Sequence, residues 1–146
     1  MTPPVNTCIY LDYNATTPVD PRVLETMLPW FTERFGNAAS VQHVMGRAAH
    51  EVVEQARRQV AAVIGATPEE IVWTSGATES NNLALRGVLR EARDRGRHIV
   101  TQVTEHRAVL DVCRSLQTEG YEVTYLPVDD RGRVNPADIE AAIRPD

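Results

Sequence analysis

The chain contains no lysine, and all 15 of its basic residues are arginine. Without lysine, the chain offers no side-chain amine that could form a Schiff base with a carbonyl compound. The phosphate-binding loop of nucleoside triphosphatases also requires a lysine, so we predict no such site. No run of about 18 apolar residues occurs, and we therefore predict no membrane-spanning helix.

Other features are scarce as well. Two cysteines in 146 residues do not make a disulfide framework. The N-terminus has neither a basic region nor an apolar stretch, so we predict no secretory signal and expect a cytoplasmic protein. The net charge of −5 argues against direct nucleic-acid binding, which requires a basic surface. The histidines and cysteines lack the spacing of a zinc site, and we predict no metal centre.

Most of the chain shows a repeating order of strand, turn and helix. Strands are predicted at residues 8–11, 71–74, 98–103 and 121–126, and helices at 21–35, 42–64, 79–93, 105–117 and 136–143. Strands that alternate with helices of this length predict an α/β fold with a mainly parallel sheet flanked by helices. A sheet of so few strands has open faces and edges. We therefore expect an incomplete fold that belongs to a larger domain or needs a partner.

The loop at residues 74–82, Thr-Ser-Gly-Ala-Thr-Glu-Ser-Asn-Asn, is the most informative segment. It leads into a predicted helix, whose first N–H groups can bind an anion. Its single glycine, Gly76, does not make a dinucleotide fingerprint. A phosphate monoester fits better, held by the amides of Ala77 and Thr78 and the Thr78 hydroxyl. The alternative, left open here, is that Ser75 or Thr78 only caps the helix.

His106 follows a predicted strand and is expected in the first turn of the next helix. The carboxyl ends of parallel strands meet at one edge of a sheet, so His106 and the 74–82 loop should share that edge. A helix N-terminus disfavours the imidazolium, and we expect a neutral ring. Such a ring could stack on an aromatic ligand or exchange protons with it. The alternative is a polar surface histidine without a ligand.

Two more loops, at residues 11–18 and 36–43, are polar and rich in small residues, which by itself indicates turns and caps. Together, four segments in this order resemble the N-terminal part of the cysteine desulfurases, namely residues 10–18, 36–43, 74–82 and 104–111. The similarity is to the nitrogenase-associated and iron–sulfur-cluster enzymes. These belong to the class V aminotransferases, with the fold type I of enzymes that use pyridoxal 5′-phosphate (PLP).

The resemblance implies site residues. Ala77 and Thr78 would hold the PLP phosphate, and His106 would stack on the pyridine ring and assist proton transfer. Asn14 would lie near the substrate. The loop at 36–43 would help to shape the pocket or the dimer interface, with no chemical role for His43.

The resemblance also implies an activity and an organisation. The family converts L-cysteine to L-alanine, leaves the sulfur as a persulfide on an enzyme cysteine for a sulfur-acceptor protein, and works as a homodimer. Residues 1–15 would form an N-terminal segment of short strand and loop. Residues 16–146 would form the N-terminal portion of the PLP-binding major domain. The destination of the sulfur stays open between iron–sulfur clusters, tRNA, DNA and other acceptors.

The chain also departs from the family pattern. The family's Schiff-base lysine, its aspartate at the pyridine nitrogen and its catalytic cysteine lie further downstream. Neither Cys8 nor Cys113 falls in the family's cysteine loop. We therefore expect the chain to be inactive alone. The alternatives are another class V enzyme, such as a selenocysteine lyase or an aminotransferase relative, a short non-catalytic dimerisation partner, and an α/β domain without a ligand.

Overall fold

The computed structural model describes residues 9–145. The chain forms two compact units, which divide between Val72 and Trp73. The helices and strands are α1 (Pro21–Thr32), α2 (Val44–Ile64), a 3-10 turn (Pro68–Glu70), α3 (Ala77–Glu91), β1 (His98–Gln102), α4 (Arg107–Thr118), β2 (Glu122–Leu126) and α5 (Pro136–Ala142). The parallel strands and their flanking helices confirm the predicted α/β class. None of the helices described is long and apolar enough to cross a membrane.

The first unit is built around α1 and α2. Helix α1 starts at Pro21, and the Asp20 carboxylate caps it by accepting the Arg22 amide at 2.9 Å. It ends earlier than predicted: the Arg34 amide donates to the Pro29 carbonyl, five residues back, at 2.8 Å, so the regular bond to the residue four back is not made there. Helix α2 is followed by Gly65 at its C-cap, whose φ of 70° is the left-handed conformation that favours glycine at this position.

Two predicted strands are wrong. Residues 9–11 and 71–74 pair with no strand in the part of the chain that the structure describes, and Cys8 lies outside it. A strand forms only when a neighbour completes its hydrogen bonds, and an apolar run alone does not show that neighbour. The described sheet therefore has two strands.

The second unit is a βαβ arrangement. Strands β1 and β2 are parallel, with register from His98 opposite Glu122 to Gln102 opposite Leu126, and α4 connects them. Helix α4 buries one face against Ile99 of β1; that face consists of Val112, Cys113 and Leu116. Helix α3 packs against the same cluster through its partly buried leucines. The starts of α3 and α4 are thereby fixed on one small core.

Candidate functional site

The start of α3 has no side-chain cap. Gly76 occupies the N-cap position with φ 159° and ψ −178°, a conformation that is almost restricted to glycine. Neither Ser75 nor Thr78 caps the helix, so the alternative of a simple side-chain cap is wrong. Among residues 9–145, no group accepts a hydrogen bond from the amide of Ala77 or Thr78. These first N–H groups of the helix are therefore open to a ligand.

The turn before α3 is held by side chains of the helix itself. The Glu79 carboxylate accepts hydrogen bonds from the Ser75 amide at 2.7 Å and from the Ser75 hydroxyl at 2.6 Å. These two bonds hold the pKa of Glu79 below its ordinary value. The hydroxyls of Thr74 and Ser80 are hydrogen-bonded to each other at 2.6 Å, and both oxygens lie 3.2 Å from the Gly76 carbonyl oxygen, to which the hydroxyl that does not donate in the first bond can donate. The turn keeps its shape without using the open amides.

The sequence predicts His106 in the first turn of α4, and this prediction is wrong. His106 is the N-cap residue, directly before the first turn. Its Nδ1 accepts a hydrogen bond from the Ala108 amide at 3.0 Å. The ring thus takes the place of a Ser, Thr or Asp cap, and the helix begins at the next residue, Arg107. A ring nitrogen that accepts this bond carries no proton, which leaves Nε2 as the N–H of the neutral ring. His43 caps α2 in the same way, accepting the Gly46 amide at 3.1 Å.

Thr78 and His106 line the same cleft of about 340 Å³ in the second unit. The prediction that the 74–82 loop and His106 share one edge is consistent with this placement. The cleft is completed by residues that the sequence analysis missed, chiefly Asn82, Arg86 and Arg107. Two of them follow Thr78 at intervals of four, and that helical spacing would have shown that they share its face. The side-chain Nδ2 of Asn82 donates to the Thr78 carbonyl at 2.9 Å.

The charges around the cleft favour an anion. Arg86 is already engaged, at 2.6 Å from Glu119 and 2.7 Å from the Ser115 hydroxyl. Asp111 is engaged as well, by Arg114 at 2.6 Å. Arg107 has no ion-pair partner in the described part of the chain. Its cation and the positive ends of two helix dipoles, those of α3 and α4, meet at this cleft.

The other predicted residues lie elsewhere. Asn14 belongs to the first unit, in a turn where the Ala15 amide donates to the Asp12 carbonyl at 3.1 Å. Its predicted place near the substrate stays a prediction. Cys113 is fully buried in the core, and burial raises the pKa of its thiol, so it is not an available nucleophile. No three potential metal ligands come together in residues 9–145.

The chain is similar in sequence to known proteins. The sequence profile of the family described as aminotransferase class-V matches residues 9–146. A cysteine desulfurase IscS from Anaeromyxobacter sp. (strain K) is 57% identical over 138 residues, which cover 94% of this chain and 34% of that relative.

Two solved structures are also similar. One, a NifS-like protein, has a TM-score of 0.84 and 44% identity, over 92% of this chain and 37% of the other. The other, SspA in complex with cysteine, has a TM-score of 0.83 and 42% identity, over 93% of this chain and 39% of the other. The chain spans about a third of the length of the curated relatives it matches.

Proposed function

The chain belongs to the class-V aminotransferase family, and on this premise we propose that it is the N-terminal portion of a PLP-dependent cysteine desulfurase. The observation that carries the proposal is the cleft that is lined both by Thr78, at the uncapped start of α3, and by His106. Relatives named cysteine desulfurase match almost the whole chain, which supports the same assignment. The complete protein would convert L-cysteine to L-alanine and pass the sulfur, as a persulfide on an enzyme cysteine, to a sulfur-acceptor protein.

The phosphate of PLP fits the start of α3. Two amides without an acceptor, those of Ala77 and Thr78, and the Thr78 hydroxyl would hold it. A helix dipole favours an anion at this position by about 0.3–1 kcal/mol. The Arg107 cation, which lines the same cleft, adds attraction. Because Gly76 carries no side chain, nothing of this residue competes with the phosphate for the amides.

His106 is proposed to stack on the cofactor ring and to move a proton. PLP, when bound, supplies an electron sink that stabilises a carbanion. The bond from the Ala108 amide to Nδ1 fixes the orientation of the imidazole and leaves Nε2 as the proton-carrying atom. The proton that His106 can donate in this arrangement is therefore the one on Nε2, because the lone pair of Nδ1 is used by the Ala108 amide. Asn14 is proposed to contact the substrate.

Residues 9–145 supply neither a lysine amine nor an accessible thiol. The sequence contains no lysine, and the thiol of Cys113 is buried in the core of the second unit. We propose that residues 1–146 supply the phosphate-binding half of the site and do not desulfurate cysteine by themselves. A lysine and an accessible cysteine encoded beyond Asp146 would complete the chemistry.

We also propose that the complete protein is a cytoplasmic homodimer. Large apolar side chains on and just after α1 are exposed, among them Phe31 at 69% and Phe35 at 66%. Apolar surface of this kind favours burial against another surface, and a second copy would provide one. The buried, unpaired thiol of Cys113 is consistent with a reducing compartment.

The proposed function is tested by measuring the products of the reaction. The protein expressed from its complete gene, supplied with PLP and L-cysteine, should release alanine and accumulate a protein persulfide. L-selenocysteine serves as the competing substrate, and the 146-residue chain serves as the matched control, from which we expect no alanine. Release of alanine from selenocysteine but not from cysteine would assign the protein to another class V activity. Alanine formation by the lysine-free chain would contradict the proposed division of the site.

A further inference from the structure

Helix α3 carries only half of a capping box. In the complete motif, the N-cap side chain accepts the amide three residues later, and a Glu or Gln there accepts the N-cap amide in return. Here the N-cap residue is Gly76, which has no side chain, so the first half is missing. The second half is present but displaced, because Glu79 bonds to the amide and hydroxyl of Ser75, one residue before the cap.

This displaced half has a specific consequence. A Ser or Thr at the N-cap would occupy an amide of the first turn and close it to a ligand. Glu79 instead holds the backbone outside the helix, and the amides of Ala77 and Thr78 stay open. The hydroxyls of Thr74 and Ser80 support the same turn through the Gly76 carbonyl. The turn is thus stabilised without loss of the donors.

We propose that Glu79 is a positioning residue for the PLP phosphate: it holds the Ser75–Gly76 turn so that the open amides meet the anion, and it does not touch the ligand itself. The inference rests on the proposed function of this loop. It assigns a role to a negative side chain at a place where charge alone would oppose phosphate binding. Without that second role, a carboxylate in the first turn would only weaken the site.

The two effects of Glu79 have opposite signs and can be separated by substitution. Glu79→Gln removes the charge and keeps an oxygen that can accept both bonds from Ser75. Glu79→Asp keeps the charge but is one methylene shorter, so its carboxylate should not reach Ser75. Glu79→Ala removes both the charge and the acceptor. A pure charge effect predicts tighter phosphate binding in the Gln and Ala variants and no change in the Asp variant. A positioning role predicts weaker phosphate binding in the Asp and Ala variants.

Glu70 is a matched control. Its carboxylate accepts the Thr67 amide at 2.8 Å at the start of the short 3-10 turn, so it makes the same kind of bond to a backbone amide. Glu70 does not line the cleft that contains Thr78 and His106. Glu70→Ala therefore removes an equivalent contact in the other unit, and it should leave cofactor binding unchanged.

The experiment compares two ligands that differ only in the phosphate. Dissociation constants of PLP and of pyridoxal are measured by equilibrium dialysis with apo-protein expressed from the complete gene. The parent protein should prefer PLP. Glu79→Ala and Glu79→Asp should reduce that preference about 3- to 10-fold, as loss of one or two hydrogen bonds predicts. Glu79→Gln and Glu70→Ala should stay within about twofold of the parent, and the affinity for pyridoxal should not change.

The outcomes separate the two claims. If the parent binds PLP and pyridoxal equally, the phosphate role of the loop is wrong, and the proposed function loses its main support. If the parent prefers PLP and Glu79→Asp keeps the full preference, only the role of Glu79 is overturned. Tighter PLP binding in both Glu79→Gln and Glu79→Ala would show a repulsive charge and would also overturn it. Should Glu79→Ala not fold, the Asp and Gln variants decide between the same alternatives.

Discussion

The ring of His106 and the amide of Ala108 are joined by a hydrogen bond of 3.0 Å in which Nδ1 is the acceptor. One side chain thereby starts α4 and lines the cleft beside Thr78. The structural and the proposed chemical role use different ring nitrogens, since the cap uses Nδ1 and leaves Nε2 for proton transfer. The two roles can therefore be separated by substitution.

His106→Asn should keep the cap and remove the imidazole. Asn is among the preferred N-cap residues, so the free energy of unfolding should change by no more than about 0.5 kcal/mol. Alanine release by the complete protein should fall by about 10²- to 10⁴-fold, the usual contribution of a positioned proton donor or acceptor. His106→Ala should lower activity similarly and also cost about 0.5–2 kcal/mol of stability. Full activity of His106→Asn would exclude the chemical role.

Thr78→Ala should weaken the affinity for PLP. A hydrogen bond to a charged group contributes about 1.5–3 kcal/mol, which corresponds to about a 10- to 100-fold change in the dissociation constant. Thr78→Ser keeps the hydroxyl and serves as the control, with affinity close to that of the parent. Fluorescence titration of apo-protein with PLP measures both variants. An unchanged affinity in Thr78→Ala would remove the Thr78 hydroxyl from the phosphate site.

Leu116→Ala should destabilise the protein. Leu116 is 2% exposed in the cluster between α4 and β1, and removal of a buried leucine side chain costs about 2–5 kcal/mol. Val88→Ala, at a position of α3 that is 66% exposed, should change stability by less than about 0.5 kcal/mol. Urea unfolding followed by circular dichroism gives both values. Equal midpoints for the two variants would show that this cluster is not the core of the second unit.

Asp129→Asn should reduce the pH dependence of stability. Hydrogen bonds from the backbone and the side chain of Arg133, and from the Arg131 amide, hold the pKa of Asp129 below its ordinary value of 3.8. A lowered pKa gives stabilisation that is present above the unfolded-state pKa and is lost as the pH falls through the folded-state value. Asp129→Asn should therefore be less stable than the parent at neutral pH, and the difference should shrink below about pH 4.

The control for this prediction is the neighbouring carboxylate. Asp130 makes no side-chain hydrogen bond to the described residues, so Asp130→Asn should leave the pH profile unchanged. The stability of the three proteins is measured by thermal unfolding between pH 2.5 and 7, in steps of about half a pH unit. A difference between Asp129→Asn and the parent that stays constant down to the lowest pH would contradict the assignment.

Much of the secondary structure could be predicted because its signals are local. Asp20 and Pro21 mark the start of α1, and Gly65 marks the end of α2, by backbone preferences that act within a few residues. The predicted strand at 71–74 could not be tested by such local signals. It has the apolar composition of a strand, but a strand requires a neighbour, and none pairs with it among the described residues. That requirement is a property of the tertiary fold.

For the candidate site, the sequence by itself determined which atoms are available: one small-residue loop with the amides of Ala77 and Thr78, one nearby imidazole, and no lysine. Only the tertiary structure decided how these atoms are arranged. It left Gly76 as a cap without a side chain, engaged Ser75 with Glu79, and placed His106 in the cleft of Thr78. The physical reason is that local propensity acts through neighbouring residues, whereas this cleft depends on how α3 and α4 pack on one shared core.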